Sequence, residues 1–383
     1  MNSSIIESKL RLVAWEITRR CNLSCAHCRA SAEDVDYGGE LSTEECFRLV
    51  DQIVGVGKPI LILTGGEPLC RPDVFDIGRY AADKGLRVVL GTNGTLLDEV
   101  VVKKLKQVPV SRVGVSIDFP NAEMQDDFRG RKGSFDEAIE GIKQARRAGI
   151  GVQINSTITK KNASLIGDLL GLALELGAAA FHLFMLVPTG RGKNLADVVL
   201  SPAEHERVLN WIYDKQEELG DRIQFKPTDA PHYMRIAMQR QGVSRYASTE
   251  IPLSPPLRKG DAFVISPLPH DRHTLDSLSR GCLAGTGFCF ISHVGRVQGC
   301  GYLDVEAGNV REQDFASIWA DSPVFNKLRN LSNLKGKCGA CEYRRPCGGC
   351  RARAYEATGD YLSEEPYCIH EPGAVYASRI EKV

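Results

Sequence analysis

The sequence has no run of about 18 apolar residues, so no membrane-spanning helix is expected. It also lacks a charge excess. Its 48 basic and 48 acidic residues leave a formal net charge of zero. That excludes the broad cationic field that gathers nucleic acid or an anionic membrane. The opening stretch MNSSIIESKLRLVAWEIT has no secretory h-region with a cleavage site, so a cytoplasmic protein is expected. Disulfides are rare in that compartment. Yet the chain carries thirteen cysteines, eleven of them in two groups at 21–28 and 282–368. Metal or redox chemistry is the leading reading of that clustering.

The 383 residues are 43% hydrophobic, enough for one large domain or two ordinary ones. From 12 to 219 the pattern alternates strand and helix. LVAWEIT (12–18), PILILTGGEP (59–68), LRVVLGTNG (86–94), RVGVSID (112–118), GVQINSTIT (151–159) and AAFHLFMLVP (179–188) read as strands. Helical spacing follows each, ending at 201–219 with Ser201 as N-cap and Pro202 in the first turn. Six such units argue for a parallel sheet with right-handed crossovers. Polar residues at most strand C-terminal ends favour a partial (β/α)6 barrel of the TIM type, open on one side. Residues 220–281 are rich in Pro, His and Arg with little periodicity, and read as a linker with substrate-facing loops. From 282 to 383 the chain is dense in Cys and Gly, and a small domain held by metal is expected there. The domains expected are therefore 1–219, 220–281 and 282–383.

The stretch CNLSCAHC places Cys21, Cys25 and Cys28 on one loop after the first strand. A structural zinc site closes with four ligands. Three thiolates instead suit an iron–sulfur cluster with one iron left open. Zinc would need His27 as its fourth ligand, and the adjacency of His27 to Cys28 strains that geometry.

The C-x3-C-x2-C spacing, with His27 as the aromatic-type residue before the last cysteine, resembles the radical S-adenosylmethionine (radical SAM) superfamily. LTGGEP (63–68) resembles that family's GGE motif after the second strand. Ser116 and Asp118 end the fourth strand, where the family places ribose-contacting groups. Gln153, Asn155 and Ser156 give the fifth strand a polar end. The resemblance implies a [4Fe-4S] cluster on Cys21, Cys25 and Cys28, which carry the catalysis. Its open iron chelates S-adenosylmethionine, and an external donor supplies the electron that cleaves it to a 5′-deoxyadenosyl radical. It also implies cofactor contacts from His27, Gly65, Gly66, Glu67, Ser116, Asp118, Arg129, Asn155 and Leu186. The glycines let backbone carbonyls approach closely. Ordering of the turn is the plain alternative for Glu67, and a surface salt bridge that for Arg129.

The second cysteine group resembles the SPASM extension of such enzymes, with one departure: Cys347 and Cys350 have two residues between them rather than three. That resemblance implies one auxiliary [4Fe-4S] cluster on Cys282, Cys289, Cys300 and Cys350. A second falls to Cys338, Cys341, Cys347 and Cys368. Their roles are an electron relay or a folding staple, and a zinc ribbon is the alternative. Cys46 and Cys70 are expected to be structural thiols.

Segments 10–30, 181–193, 230–236, 280–303 and 347–368 resemble the haem-precursor branch of the superfamily, nearest its heme b synthases of the sirohaem-dependent route. Asp229 departs from that branch, where cysteine is expected. The resemblance implies oxidative decarboxylation of two propionates of iron-coproporphyrin III to vinyl groups. Arg191, Lys193, His232 and Arg235 are candidate partners for the substrate. Solvated or structural roles are the alternatives for each. Three rival functions stay open. One is the sister deacetylase acting on didecarboxysirohaem. Another is a peptide-modifying SPASM enzyme, for which an added N-terminal recognition domain has no room before Cys21. The third is a metal-binding scaffold without catalysis.

Overall fold

Seven parallel strands stand side by side in chain order. They are β1 (Leu12–Thr18), β2 (Ile60–Gly65), β3 (Arg87–Thr92), β4 (Arg112–Ser116), β5 (Gly151–Ile158), β6 (Ala180–Met185) and β7 (Gln224–Thr228). Beyond the other side of β1 the same sheet continues into β8 (Phe288–Ile291), β9 (Arg296–Cys300) and β10 (Leu303–Asn309). β8 runs parallel to β1, and β9 and β10 return antiparallel. β7 and β10 are the two edges, so the curved sheet is an open, partial barrel. The computed structural model describes residues 5–6, 8–241 and 280–373.

The helices are α1 (Thr43–Val56), α2 (Val74–Asp83), α3 (Glu99–Gln107), α4 (Ala122–Arg129), α5 (Ser134–Arg147), α6 (Ile166–Glu175), α7 (Pro202–Leu219) and α8 (Tyr233–Arg240). One follows each strand from β1 to β7, except that two follow β4. The C-terminal part adds α9 (Phe315–Asp321), α10 (Pro323–Arg329), α11 (Gly336–Ala340) and α12 (Arg351–Thr358). Their ends follow local chemistry. Capping boxes start α1 (Ser42 with Glu45) and α7 (Ser201 with Glu204). Gly130, at φ +72°, ends α4 in the left-handed conformation that glycine adopts without steric cost.

One departure concerns the segment expected as a linker. Its first part supplies β7 and α8, and its remainder, including SPPL at 254–257, lies outside the described residues. β7 is short and carries Pro227, which is tolerated at a sheet edge where no ladder partner needs its missing N–H.

Strand alternation divides the sheet into two faces. Val152, Ile154 and Ile158 of β5, Phe181 and Leu183 of β6 and Phe225 of β7 join the core packed under the helices. The alternate residues face the lumen. Among the described residues no helix is long and apolar enough to cross a membrane.

Candidate active site

The loop after β1 is clamped by hydrogen bonds from the protein itself. Cys21 N–H donates to the Glu33 carbonyl, and Ala26 N–H to the Phe128 carbonyl at the end of α4. Each of the three sulfurs has a donor. Leu23 N–H reaches Cys21 Sγ at 3.4 Å, Ala32 N–H reaches Cys28 Sγ at 3.3 Å, and Arg129 Nη1 lies 3.7 Å from Cys25 Sγ. Such donors favour the thiolate. Burial opposes it, pushing the Cys21 thiol up to about 12 and the Cys25 thiol up as well. Deprotonation of these buried thiols therefore needs a cation, which a metal centre supplies.

The GGE turn ends β2 against this loop. Gly66 N–H donates to the Thr18 carbonyl and Glu67 N–H to the Arg20 carbonyl, both at 2.8 Å. A Cβ on Gly66 would stand 2.3 Å from the Arg19 oxygen, and one on Gly65 2.5 Å from that of Thr18. Only glycine permits this approach. Gly66→Ala is expected to cost about 1–3 kcal/mol through forced backbone shifts. Thermal unfolding of the variant checks it.

Glu67 is fully buried and accepts from Thr92 Oγ1, Asn93 N–H and Leu69 N–H at 2.8–3.1 Å. Burial pushes its carboxyl up to about 7 against the pull of those donors. Glu67 thus orders the turn and ties it to the end of β3. Asn93, which sequence reasoning passed over, continues the tie. Its Nδ2 donates to Asn22 Oδ1 at 2.8 Å and lies 3.9 Å from Cys21 Sγ. Its place after the third strand, in GTNG, was the available signal.

Arg129 is pinned inside the protein. Its Nη2 pairs with Asp118 at 2.5 Å, and both side chains are buried. Asp118 also accepts from Thr157 N–H, so it positions Arg129 rather than standing open to a ribose. His27 stacks on Phe128 with centroids 4.5 Å apart, and burial pushes it down to about 4, leaving it neutral. Among the described residues, Arg129 Nε and His27 Nδ1 are buried with no hydrogen-bond partner. Those orphaned groups beside three gathered thiols fit a ligand-bearing cluster.

Ser116 and Asn155 belong to a lumen-facing tier. Ser116, Asn155, His182 and Lys226 are in register across β4, β5, β6 and β7. Gln153 Nε2 links Asn155 Oδ1 and His182 Nδ1 at 2.7 and 2.9 Å. Burial, with Lys226 and Arg112 adding positive charge, pushes His182 well below its usual value. Arg112, lower on β4, makes no ion pair among the described residues. Leu186 is buried after β6, near Gly192.

The candidate substrate cations go elsewhere. Arg191 Nε and Nη1 donate to the Cys25 and Ala32 carbonyls at 2.9 Å, so it buttresses the cysteine loop. Arg191→Ala is expected to weaken iron retention there about 10- to 100-fold while leaving porphyrin titration unchanged. The reverse outcome would make Arg191 a substrate contact. Lys193 is 63% exposed and pairs with Glu356 at the surface. Arg235 is buried and donates two hydrogen bonds to the Glu206 carboxylate, both at 2.6 Å. His232 is fully buried.

His232 and Arg235 line one cavity together with Cys338, Cys341, Cys347 and Cys368. The structure thus gathers the four thiols assigned to one auxiliary cluster. Cys282, Cys300 and Cys350 form a second group of electrostatic neighbours. Cys289 does not join them. It sits fully buried on β8 opposite Val13, in the core under the helices. Cys46 is likewise buried beneath Arg71.

A second buried network was not foreseen. Glu16 on β1 binds Arg29 of the loop and His293 Nδ1, the latter at 2.8 Å. Burial alone would raise its carboxyl, but the Arg29 charge and these bonds outweigh that and hold it low.

Comparison with known proteins places matches on both parts. The model of the radical SAM superfamily matches residues 15–163, and that of the SPASM iron-sulfur cluster-binding domain matches 282–350. An AdoMet-dependent heme synthase of Methanosarcina barkeri is 51% identical over 366 residues, covering 95% of this chain and 97% of that one. An Fe-coproporphyrin III synthase of the same organism is 32% identical, covering 94% and 88%. The crystal structure of Streptococcus suis SuiB bound to S-adenosylmethionine superposes with a TM-score of 0.71 at 16% identity, over 95% of this chain and 78% of that one. That last likeness is one of fold.

Proposed function

The chain belongs to the radical SAM family of AdoMet-dependent heme synthases, and from that premise we propose that it converts two propionates of iron-coproporphyrin III to vinyl groups. When bound on Cys21, Cys25 and Cys28, the cluster and S-adenosylmethionine supply a 5′-deoxyadenosyl radical able to take hydrogen from unactivated carbon. The auxiliary clusters belong to the cluster-binding domain at the C-terminus.

Each step balances. A propionate side chain, –CH2CH2COO⁻, gives up one hydrogen atom from its β-carbon, then CO2 and one electron, and becomes –CH=CH2. The hydrogen ends on 5′-deoxyadenosine, and the electron passes to a one-electron acceptor.

The chain's own residues set the stage. Arg129, fixed by Asp118, holds a positive charge beside Cys25, suited to a cofactor carboxylate. Glu67 and Asn93 keep the turn and loop rigid. The lumen then has to recognise a flat, apolar ring with four carboxylates. The observation that carries the reading is the in-register tier of Ser116, Asn155, His182 and Lys226, with Arg112 below it. These groups share the face of the sheet opposite the core packed under the helices. They offer amide and cationic donors where burial strengthens each bond to a carboxylate.

Arg112→Ala and Lys226→Ala are each expected to weaken iron-coproporphyrin III binding about 10- to 100-fold, the loss for a hydrogen bond to a charged group. Absorbance titration measures it. Unchanged affinity in both variants would remove the lumen from the account of substrate binding.

A further inference from the structure

Cys289 and Cys300 lie on neighbouring antiparallel strands, and the register settles which way each points. Phe290 pairs with Gln298 and Ile291 with Val297. Paired residues share a face, and neighbours along a strand alternate. Continued by one step, the register puts Cys289 on the face of Ile291 and Val297. Both are fully buried in the core under the helices. Cys300 points with Phe290 and Gln298 to the opposite face. A cluster that takes Cys300 is thus cut off from Cys289 by the sheet itself.

On the Cys300 face another group waits. Asp229 follows β7 in the left-handed conformation, φ +57°, a backbone state that few side chains adopt and that collects at functional sites. Its carbonyl accepts from Arg353. Among the described residues its buried carboxylate Oδ2 has no hydrogen-bond partner. A buried carboxylate oxygen left bare is costly, and a metal ion relieves that cost. Arg353 connects Asp229 to the thiols. It binds Glu365 at 3.0 Å, and Glu365 accepts the Cys350 N–H at 2.7 Å. The electrostatic neighbourhood agrees. Burial first, and then the Asp229 charge, pushes the Cys300 thiol up. Burial also raises Cys350, with Glu365, Asp229 and Cys282 as the negative charges around it and Arg353 opposing.

We infer that the Asp229 carboxylate, in place of the Cys289 thiolate, is the fourth protein ligand of the auxiliary cluster held by Cys282, Cys300 and Cys350. The ligand set is then three sulfurs and one oxygen. Oxygen is a harder and poorer donor to iron than thiolate, so this cluster has a higher reduction potential than a four-thiolate site in the same place. The inference stands on the cluster-binding domain and not on the identity of the porphyrin, so it can fail without touching the proposed reaction.

The test uses the reconstituted full chain and reads iron and spectra rather than turnover. Asp229→Ala is expected to lose about one iron per chain and to show a three-iron electron paramagnetic resonance signal in the oxidised protein. Asp229→Cys keeps the iron count and shifts one midpoint potential to more negative values. Cys289→Ala leaves iron content, signals and potentials as in the wild type. If Asp229→Ala fails to fold, the other two variants still decide. A three-iron signal or iron loss in Cys289→Ala overturns the assignment. So does an Asp229→Cys protein with every potential unchanged.

Discussion

Cys21→Ala, Cys25→Ala and Cys28→Ala are each expected to bring 5′-deoxyadenosine formation down to the uncatalysed background, while the iron bound by the C-terminal cysteines remains. The separation follows from the packing. The loop bearing these thiols is tied to β2, β3 and α4 through Gly66, Glu67, Asn93 and the Phe128 carbonyl. None of those ties involves the C-terminal cysteines. Loss of one thiolate therefore removes a ligand without loosening the auxiliary sites. The three substitutions act on one unit, so a double variant adds nothing to a single one. Anaerobic chromatography of the nucleoside products, with iron counted in the same samples, reads both halves of the expectation. A single variant that kept a substantial fraction of wild-type cleavage would take that residue out of the cluster.

Arg353→Met is expected to destabilise the chain by about 3–5 kcal/mol, the usual cost of stripping one partner from a buried ion pair. Arg353 is 1% exposed, and Glu365 equally so. The guanidinium also bonds to the carbonyls of Met185 and Asp229, at the ends of β6 and β7. One side chain thus joins the barrel to the cysteine-rich part. Methionine matches its length but meets none of these acceptors, and it leaves the buried Glu365 charge without its cation. Glu365 in turn contacts two proposed cluster ligands, through its N–H to Cys338 Sγ at 3.3 Å and its carboxylate from the Cys350 N–H. Iron at the auxiliary sites is expected to fall with stability. Thermal denaturation at a fixed scan rate, with iron per chain measured beforehand, checks both. A variant with wild-type melting and full iron would show that the junction is held by something else.

Much of this architecture was legible in the residues. Six strand–helix units stood out because buried parallel strands are short apolar runs between capped helices. The cysteine loop and the GGE turn announced themselves by spacing. What escaped did so for physical reasons. β7 reads QFKPT, short and broken by proline, which only an edge position tolerates. α4, AEMQDDFR, is mostly polar, and its clearest local mark was Asn121 as N-cap. Arg191 and Arg235 looked like free cations because their partners, the loop carbonyls and Glu206, lie far off in sequence. Cys289 is a different case. The alternation across the β8–β9 hairpin was present in the residues, and counting faces rather than cysteines would have set it apart from Cys300.

The most direct test is one anaerobic reaction. The reconstituted, reduced protein receives S-adenosylmethionine and iron-coproporphyrin III, and 5′-deoxyadenosine and porphyrin mass are followed together. The account predicts a porphyrin lighter by two CO2 and four hydrogens in all, with one deoxyadenosine formed for each vinyl group. Deoxyadenosine formed beside a porphyrin of unchanged mass would contradict it and move the substrate elsewhere, to didecarboxysirohaem or a peptide.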